Sequence, residues 1–202
     1  MLDYHRAIAS DPCKEPTMIR IIFSSLTLLL WLLPGNSGAA GEAIHLQLHV
    51  HPLPAPSHNA ITLTVRDQRA RTIPGLTVDG GAIRLDDDPA TLLDQSATNA
   101  LRQAGYRLVP KGNATGAHLA IALLKLTYRA HKRLMRTDIE ATAELDISVA
   151  HDKRTLHKRF RAKSMHEVAL TPSNAENTAL LSEVLSHALE AAINDGEIRR
   201  AL

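Results

Sequence analysis

The sequence predicts an α+β fold, with an antiparallel or mixed sheet of about five strands and two helices packed on one face. Three observations predict it. Apolar and polar residues alternate with period two at 61–66, 138–149 and 156–163, the signature of half-buried strands. Two longer segments carry apolar residues at helical spacing and have recognisable start signals at Asp88 and Ser173. The strands are joined by short connections, which favours antiparallel neighbours over helix-linked crossovers.

Taken in order, residues 44–50 alternate Ile44, Leu46, Leu48, Val50 with His45, Gln47, His49, which reads as a half-buried strand. Pro52, Pro54 and Pro56 cannot donate to a ladder and mark an extended connector. Residues 61–66 form the next strand, and residues 69–88 read as a long loop carrying Pro74-Gly75 and Gly80-Gly81. Asp88 caps the first helix and Pro89 stands where a missing N–H costs nothing. Leu93, Ala97, Ala100, Leu101 and Ala104 line its buried face, and Gly105 closes it. Residues 106–109 are a short extended piece. Residues 118–128 are apolar at both parities, the pattern of a central strand covered on at least one side by a helix.

The next two segments fix each other's register. Ile139, Ala141, Ala143, Leu145, Ile147 and Val149 alternate with Asp138, Glu140, Glu144 and Asp146. Then Leu156, Phe160 and Ala162 alternate with His157, Arg159, Arg161 and Lys163. A tight turn at Asp152-Lys153 pairs positions whose numbers sum to 305. Asp146 then faces Arg159, Glu144 faces Arg161 and Leu145 faces Phe160, so acid meets base on the wet face and apolar meets apolar below. The last helix starts at Ser173 with Glu176 completing a capping box. Leu181, Val184, Leu185, Ala188, Leu189 and Ala192 form its buried stripe. Asn194-Asp195-Gly196 ends it, and residues 197–202 add one further turn.

Upstream, residues 21–33 are an apolar run preceded by Arg20 and followed by small residues, the composition of an export signal. The run is short for a membrane-spanning helix. The acidic residues Asp3, Asp11 and Glu15 do not suit a leader, so translation is expected to begin at Met18. Cleavage is expected after Ala39 or Ala40. This divides the chain into an N-terminal extension and signal peptide, 1–40, and one domain, 41–202. The expected location is the periplasm, or the inner or outer membrane if the leader is retained. Cys13 is the sole cysteine, so residues 41–202 have no disulfide, thiolate metal site or cysteine nucleophile.

Residues 41–202 carry 20 Lys+Arg and 18 Asp+Glu, a balance that argues against nucleic acid as a partner. Tyr106, Tyr128 and Phe160 are their only aromatic residues besides histidine, too few for a stacking platform. No G-x-S-x-G, H-E-x-x-H, phosphate loop or G-x-G-x-x-G is present, and no catalytic residue, metal or cofactor is assigned. His49 and His51 share a strand face but lack a carboxylate nearby in sequence, so they read as surface histidines. Asp86-Asp87-Asp88 lacks the spacing of a calcium loop and reads as a helix-start acid cluster. The candidate binding residues are Asp67 and Arg69, which close the second strand, and Arg159 and Arg161 on the basic strand.

The chain resembles the YajG-type lipoproteins of Gram-negative bacteria. The resemblance rests on Asp67-Gln68-Arg69 after an alternating strand, then Pro74-Gly75, then Leu101-Arg102-Gln103-Ala104-Gly105-Tyr106 at a helix end. The strand 119–128, the hairpin 138–165 and a final helix running into Asp195 and Ile198 complete it, over most of 60–202. It implies an envelope protein, usually lipid-anchored, with no assigned enzymatic activity. The lipidation cysteine after the apolar core is missing here. The expected function is that of an exported, non-enzymatic binding or scaffolding protein acting through a sheet edge or a groove between helices and loops. Its expected partner is an envelope or periplasmic protein, with peripheral membrane association a further possibility. The alternatives are a lipid- or lipopolysaccharide-binding accessory protein and a small metal-dependent hydrolase.

Overall fold

The computed structural model describes residues 42–56, 59–110, 116–152 and 154–202. The expected leader, its cleavage point and Cys13 lie outside them. Among the described residues, seven strands and three helices follow in the order β1 (Glu42–Ile44), β2 (Ala60–Asp67), β3 (Ile83–Leu85), α1 (Pro89–Ala104), β4 (Arg107–Leu108), β5 (Ala117–Lys132), β6 (Arg136–His151), β7 (Arg154–Ala169), α2 (Asn174–Asn194) and α3 (Gly196–Ala201). Five strands form a mixed sheet in the order β4-β2-β5-β6-β7, and β1 pairs with β3 in a separate two-stranded parallel sheet. The fold is α+β.

The hairpin of β6 and β7 has the register that its charge pattern demands. Asp146 lies opposite Arg159, Glu144 opposite Arg161 and Leu145 opposite Phe160. Asp152, in the turn, takes a left-handed φ of 55°, the conformation a two-residue hairpin loop requires. Beneath it, Ile139, Ala141, Ala143, Leu145, Ile147 and Val149 are buried against α2. The predicted caps are also in place. Asp88 accepts from Thr91 N at 3.0 Å, Gly105 takes φ 105°, and Ser173 and Glu176 form a reciprocal capping box. Asp195 ends α2 and at the same time caps α3, accepting from the amides of Glu197 and Ile198.

Two local expectations are corrected and a third is refined. Residues 69–88 are not one loop, because β3 and an isolated bridge between Leu76 and Ala82 lie within them. β5 is the central strand, as expected, and its open face is apolar at Ala120 and Ala122, but its register also shifts between Leu123 and Lys125, which moves the buried parity. Leu119, Ile121 and Leu123 are buried before the bulge, and Leu126 and Tyr128 after it. The strand expected at 44–50 joins a ladder only through Ile44.

Beyond Ile44 the chain stays extended but pairs with a helix. The amides of Gln47 and His49 donate to Ser182 Oγ and Ser186 Oγ at 3.1 and 3.0 Å. Those of His51 and Leu53 donate to Glu190 Oε2 at 3.1 Å and Asn194 Oδ1 at 2.7 Å. Asn194 returns a bond from Nδ2 to the His51 carbonyl, and Asn174 Nδ2 holds the Ala43 carbonyl. Ile44 and Leu46 are buried, with Leu48 and Val50 packed against the core. The alternation seen in the sequence is therefore real, but it is satisfied without a second strand.

Residues 74 and 75 replace β2 as the neighbour of β5 near its end. Tyr128 N donates to the Pro74 carbonyl at 3.0 Å, and Ile83 N to the Gly75 carbonyl at 3.0 Å. A β-carbon on Gly75 would overlap the Tyr128 carbonyl oxygen. Gly75→Ala is expected to lower stability by about 1–3 kcal/mol, the usual cost of overpacking against backbone that cannot give way. Urea denaturation checks this.

Candidate functional site

Asp67 and Arg69 are committed to each other. Arg69 Nε lies 3.0 Å from both carboxylate oxygens of Asp67, and Nη2 lies 2.8 Å from Oδ2. The Arg69 amide also donates to Asp67 Oδ1, and its Nη1 donates to the Thr72 carbonyl at 3.1 Å. The Arg69 side chain is only 5 % exposed. The pair thus fastens the loop after β2 to the end of that strand. Burial pushes the Asp67 carboxyl up, but the hydrogen bonds and charge of Arg69 outweigh it and hold the group below the ordinary carboxylate range.

Arg159 and Arg161 stand apart from that pair. Two strands, β5 and β6, separate β2 from β7, so the two candidate pairs are about 14 Å apart across the sheet and form no single site. Arg159 reaches Glu144 at 3.4 Å and Asp146 at 3.6 Å, and Lys163 reaches Glu140 at 2.9 Å. The Lys163 hydrogen bond lowers the Glu140 carboxyl below its ordinary value. Arg161 is exposed and has no ion pair among the described residues, because Glu144 is taken by Arg159. The alternate residues of β7 face the helices instead. Ser164 Oγ donates to Glu183 at 2.8 Å and His166 lies 3.1 Å from the same carboxylate. Lys158 reaches Asp195 at 2.7 Å and Glu197 at 3.2 Å.

β7 is consequently a 16-residue edge strand, held on its helix side and basic on its open side. Among the described residues no strand lies beyond it. An edge of this kind presents a row of backbone groups to which a further strand can add.

Several concave surfaces are not evident from the sequence, among them one along α2 and one on the open sheet face. The larger, about 970 Å³, runs between residues 43–51 and α2 and is lined by His45, Gln47, His49, His51, His187 and Glu190, among others. His51 Nδ1 lies 3.4 Å from Glu190, so a carboxylate absent near it in sequence arrives from elsewhere in the fold, and His45 Nδ1 lies 2.6 Å from Asp87. No three His, Cys, Asp or Glu side chains among the described residues converge to hold a metal ion. The smaller, about 440 Å³, lies on the open sheet face over Ala120 and Ala122, with Arg66, His118, Asp146 and His157 around it. His118 Nε2 there lies 3.0 Å from Thr64 Oγ1. The sequence does carry a trace of the larger groove, in the two-residue spacing of polar side chains at 45–51 and the four-residue spacing of Ser182, Ser186 and Glu190.

No described helix is long and apolar enough to cross a membrane. Among solved structures, the chain is similar to the protein XCC0632 from Xanthomonas campestris, at 16 % identity and a TM-score of 0.52, covering 79 % of this chain and 95 % of that one. It is also similar to the rare lipoprotein B from Shewanella oneidensis, at 12 % identity and a TM-score of 0.38, over 66 % of this chain and 89 % of that one. For lipoprotein GNA1162 from Neisseria meningitidis the values are 13 % and 0.33, over 63 % and 93 % of the two chains. No curated protein matches the chain.

The Asp67–Arg69 clasp makes stability depend on pH in a defined direction. A carboxyl held below its unfolded value stabilises the fold above about pH 4 and loses that contribution as pH falls through its folded value. Asp67→Asn is expected to cost about 1–2 kcal/mol at pH 7, with the difference from the parent shrinking below pH 4. Chemical denaturation at a series of pH values measures it.

Residues 51–202 match the family of uncharacterised lipoproteins, and the chain belongs to it.

Proposed function

We propose that this chain is an exported, non-enzymatic envelope protein of the YajG type that binds an extended, acidic segment of another envelope protein along β7. The observation that carries this reading is the state of that edge. It is long, its open side bears Arg159, Arg161 and Lys163, and Arg161 has no acidic partner among the described residues. The acidic column of β6 already shows what suits the inner side of this strand. A strand with acids at the same spacing repeats that arrangement on the outer side, where main-chain bonds supply affinity and charge supplies selection. Edge-to-edge pairing of two copies through β7 is disfavoured, because it sets cation against cation. Family membership supports the envelope location. With no cysteine after residues 21–33, the chain is either held by that apolar run or free after its removal.

A photo-crosslinking residue in place of His157 tests the reading in intact cells. The expected result is an adduct with one envelope protein, and Arg161→Glu is expected to reduce its yield several-fold while leaving the fold intact, since Arg161 is exposed and unpaired. An absent adduct, or a yield unchanged by the charge reversal, counts against it.

A further inference from the structure

The two long hairpins of the sheet end in opposite kinds of turn. Between β6 and β7 the turn carries Asp152, with the positive φ that such a loop calls for. Between β5 and β6 it carries Leu134 and Met135, which are 94 % and 78 % exposed. Neither takes a positive φ, and the turn is closed by Arg133 N donating to the Arg136 carbonyl at 2.7 Å. Backbone geometry therefore gives no reason for two large apolar side chains at a tip surrounded by solvent. A third joins them: Arg136 pairs with Ala169, and the next residue, Leu170, is 64 % exposed. Thr137 Oγ1 donates to the Leu170 carbonyl and fixes this residue beside the hairpin.

The tip has a basic collar. Lys132, Arg133 and Arg136 surround it, and the nearby acids are Asp138 and Glu167. Arg133 lies 2.7 Å from Asp138 and Arg136 lies 2.8 Å from Glu167, while Lys132 has no ion pair among the described residues. Exposed leucine and methionine ringed by Lys and Arg match the interfacial zone of an anionic bilayer, where apolar side chains sit about 5–10 Å deep and cations meet the headgroups. The polypeptide also enters the described structure near this end. Ala43 is bonded to Asn174, five residues after Ala169 and so within about 17 Å of it. In sequence, eight residues separate the apolar run 21–33 from Glu42.

We infer that the β5–β6 hairpin tip, with Leu170, is a membrane-docking surface that inserts Leu134 and Met135 into an anionic phospholipid interface. This surface is distinct from the β7 edge and does not depend on the partner proposed there. It leaves the open side of β7 free while the sheet end rests on lipid.

The test uses the full chain with Cys13→Ser, labelled with an environment-sensitive fluorophore at Leu134→Cys or, as a control, at Leu53→Cys. Leu53 is 50 % exposed and is bonded to Asn194, at the other end of α2 from Asn174. With protein-free vesicles containing phosphatidylglycerol, the label at 134 is expected to shift to the blue and to be quenched by brominated acyl chains, while the label at 53 does neither. Lys132→Glu with Arg136→Glu is expected to diminish the shift at 134, and Arg161→Glu to leave it unchanged. Water-like emission at 134 on these vesicles overturns the inference. So does an equal response on pure phosphatidylcholine, or shielding that needs an added envelope protein.

Discussion

The arrangement on which the rest of this structure depends is the seating of residues 45–53 on α2 through helix side chains. Ser182, Ser186, Glu190 and Asn194 recur every four residues and accept from the amides of residues 47, 49, 51 and 53, which recur every two. The periods match because four helical residues rise about 6.0 Å and two extended residues about 6.6 Å. Each bond contributes on the order of 1 kcal/mol. Their larger effect is to let Ile44, Leu46, Leu48 and Val50 complete the core without leaving buried amides unpaired. The same contact turns two serines on a buried flank of the helix into satisfied groups.

That seating also shapes the surface. Side chains of the odd positions 45–51 stand above the segment and form one wall of the groove along α2. The helix and its cap are also tied to β7 through Glu183 and Asp195. Burial pushes the Asp195 carboxyl up, yet Lys158 and the α3 amides outweigh this and hold it below its ordinary value. With one side of β7 thus occupied, the cations on its other side are left to set its chemistry. The acid–base columns of β6 and β7 fix the hairpin register and at the same time leave Arg161 without an acid.

The parts legible in the sequence are those whose cause is local or doubly determined. The β6–β7 register is fixed by apolar and charge patterns that agree only at one pairing, so a one-residue slip breaks both. The caps at Asp88 and Ser173 depend on residues three positions apart. The β5 bulge was hidden because a parity change within an apolar run looks like a strand apolar on both faces. The segment after Ile44 reads as a strand because its alternation is genuine, while the partner that replaces a neighbouring strand lies 135–141 residues away and acts through side chains. His51 gains its carboxylate neighbour by the same long-range route. The candidate residues Asp67 and Arg69 were visible as a charged pair, but only the structure shows them closed on each other.

Residue-resolved native-state hydrogen exchange over 45–53 tests this account most directly. It predicts alternation, with the amides of Gln47, His49, His51 and Leu53 protected and those of Leu46, Leu48 and Val50 exchanging faster. In Ser182→Ala with Ser186→Ala, protection should fall at 47 and 49 and persist at 53. Uniform exchange along the segment, or an alternation indifferent to both serines, would contradict it.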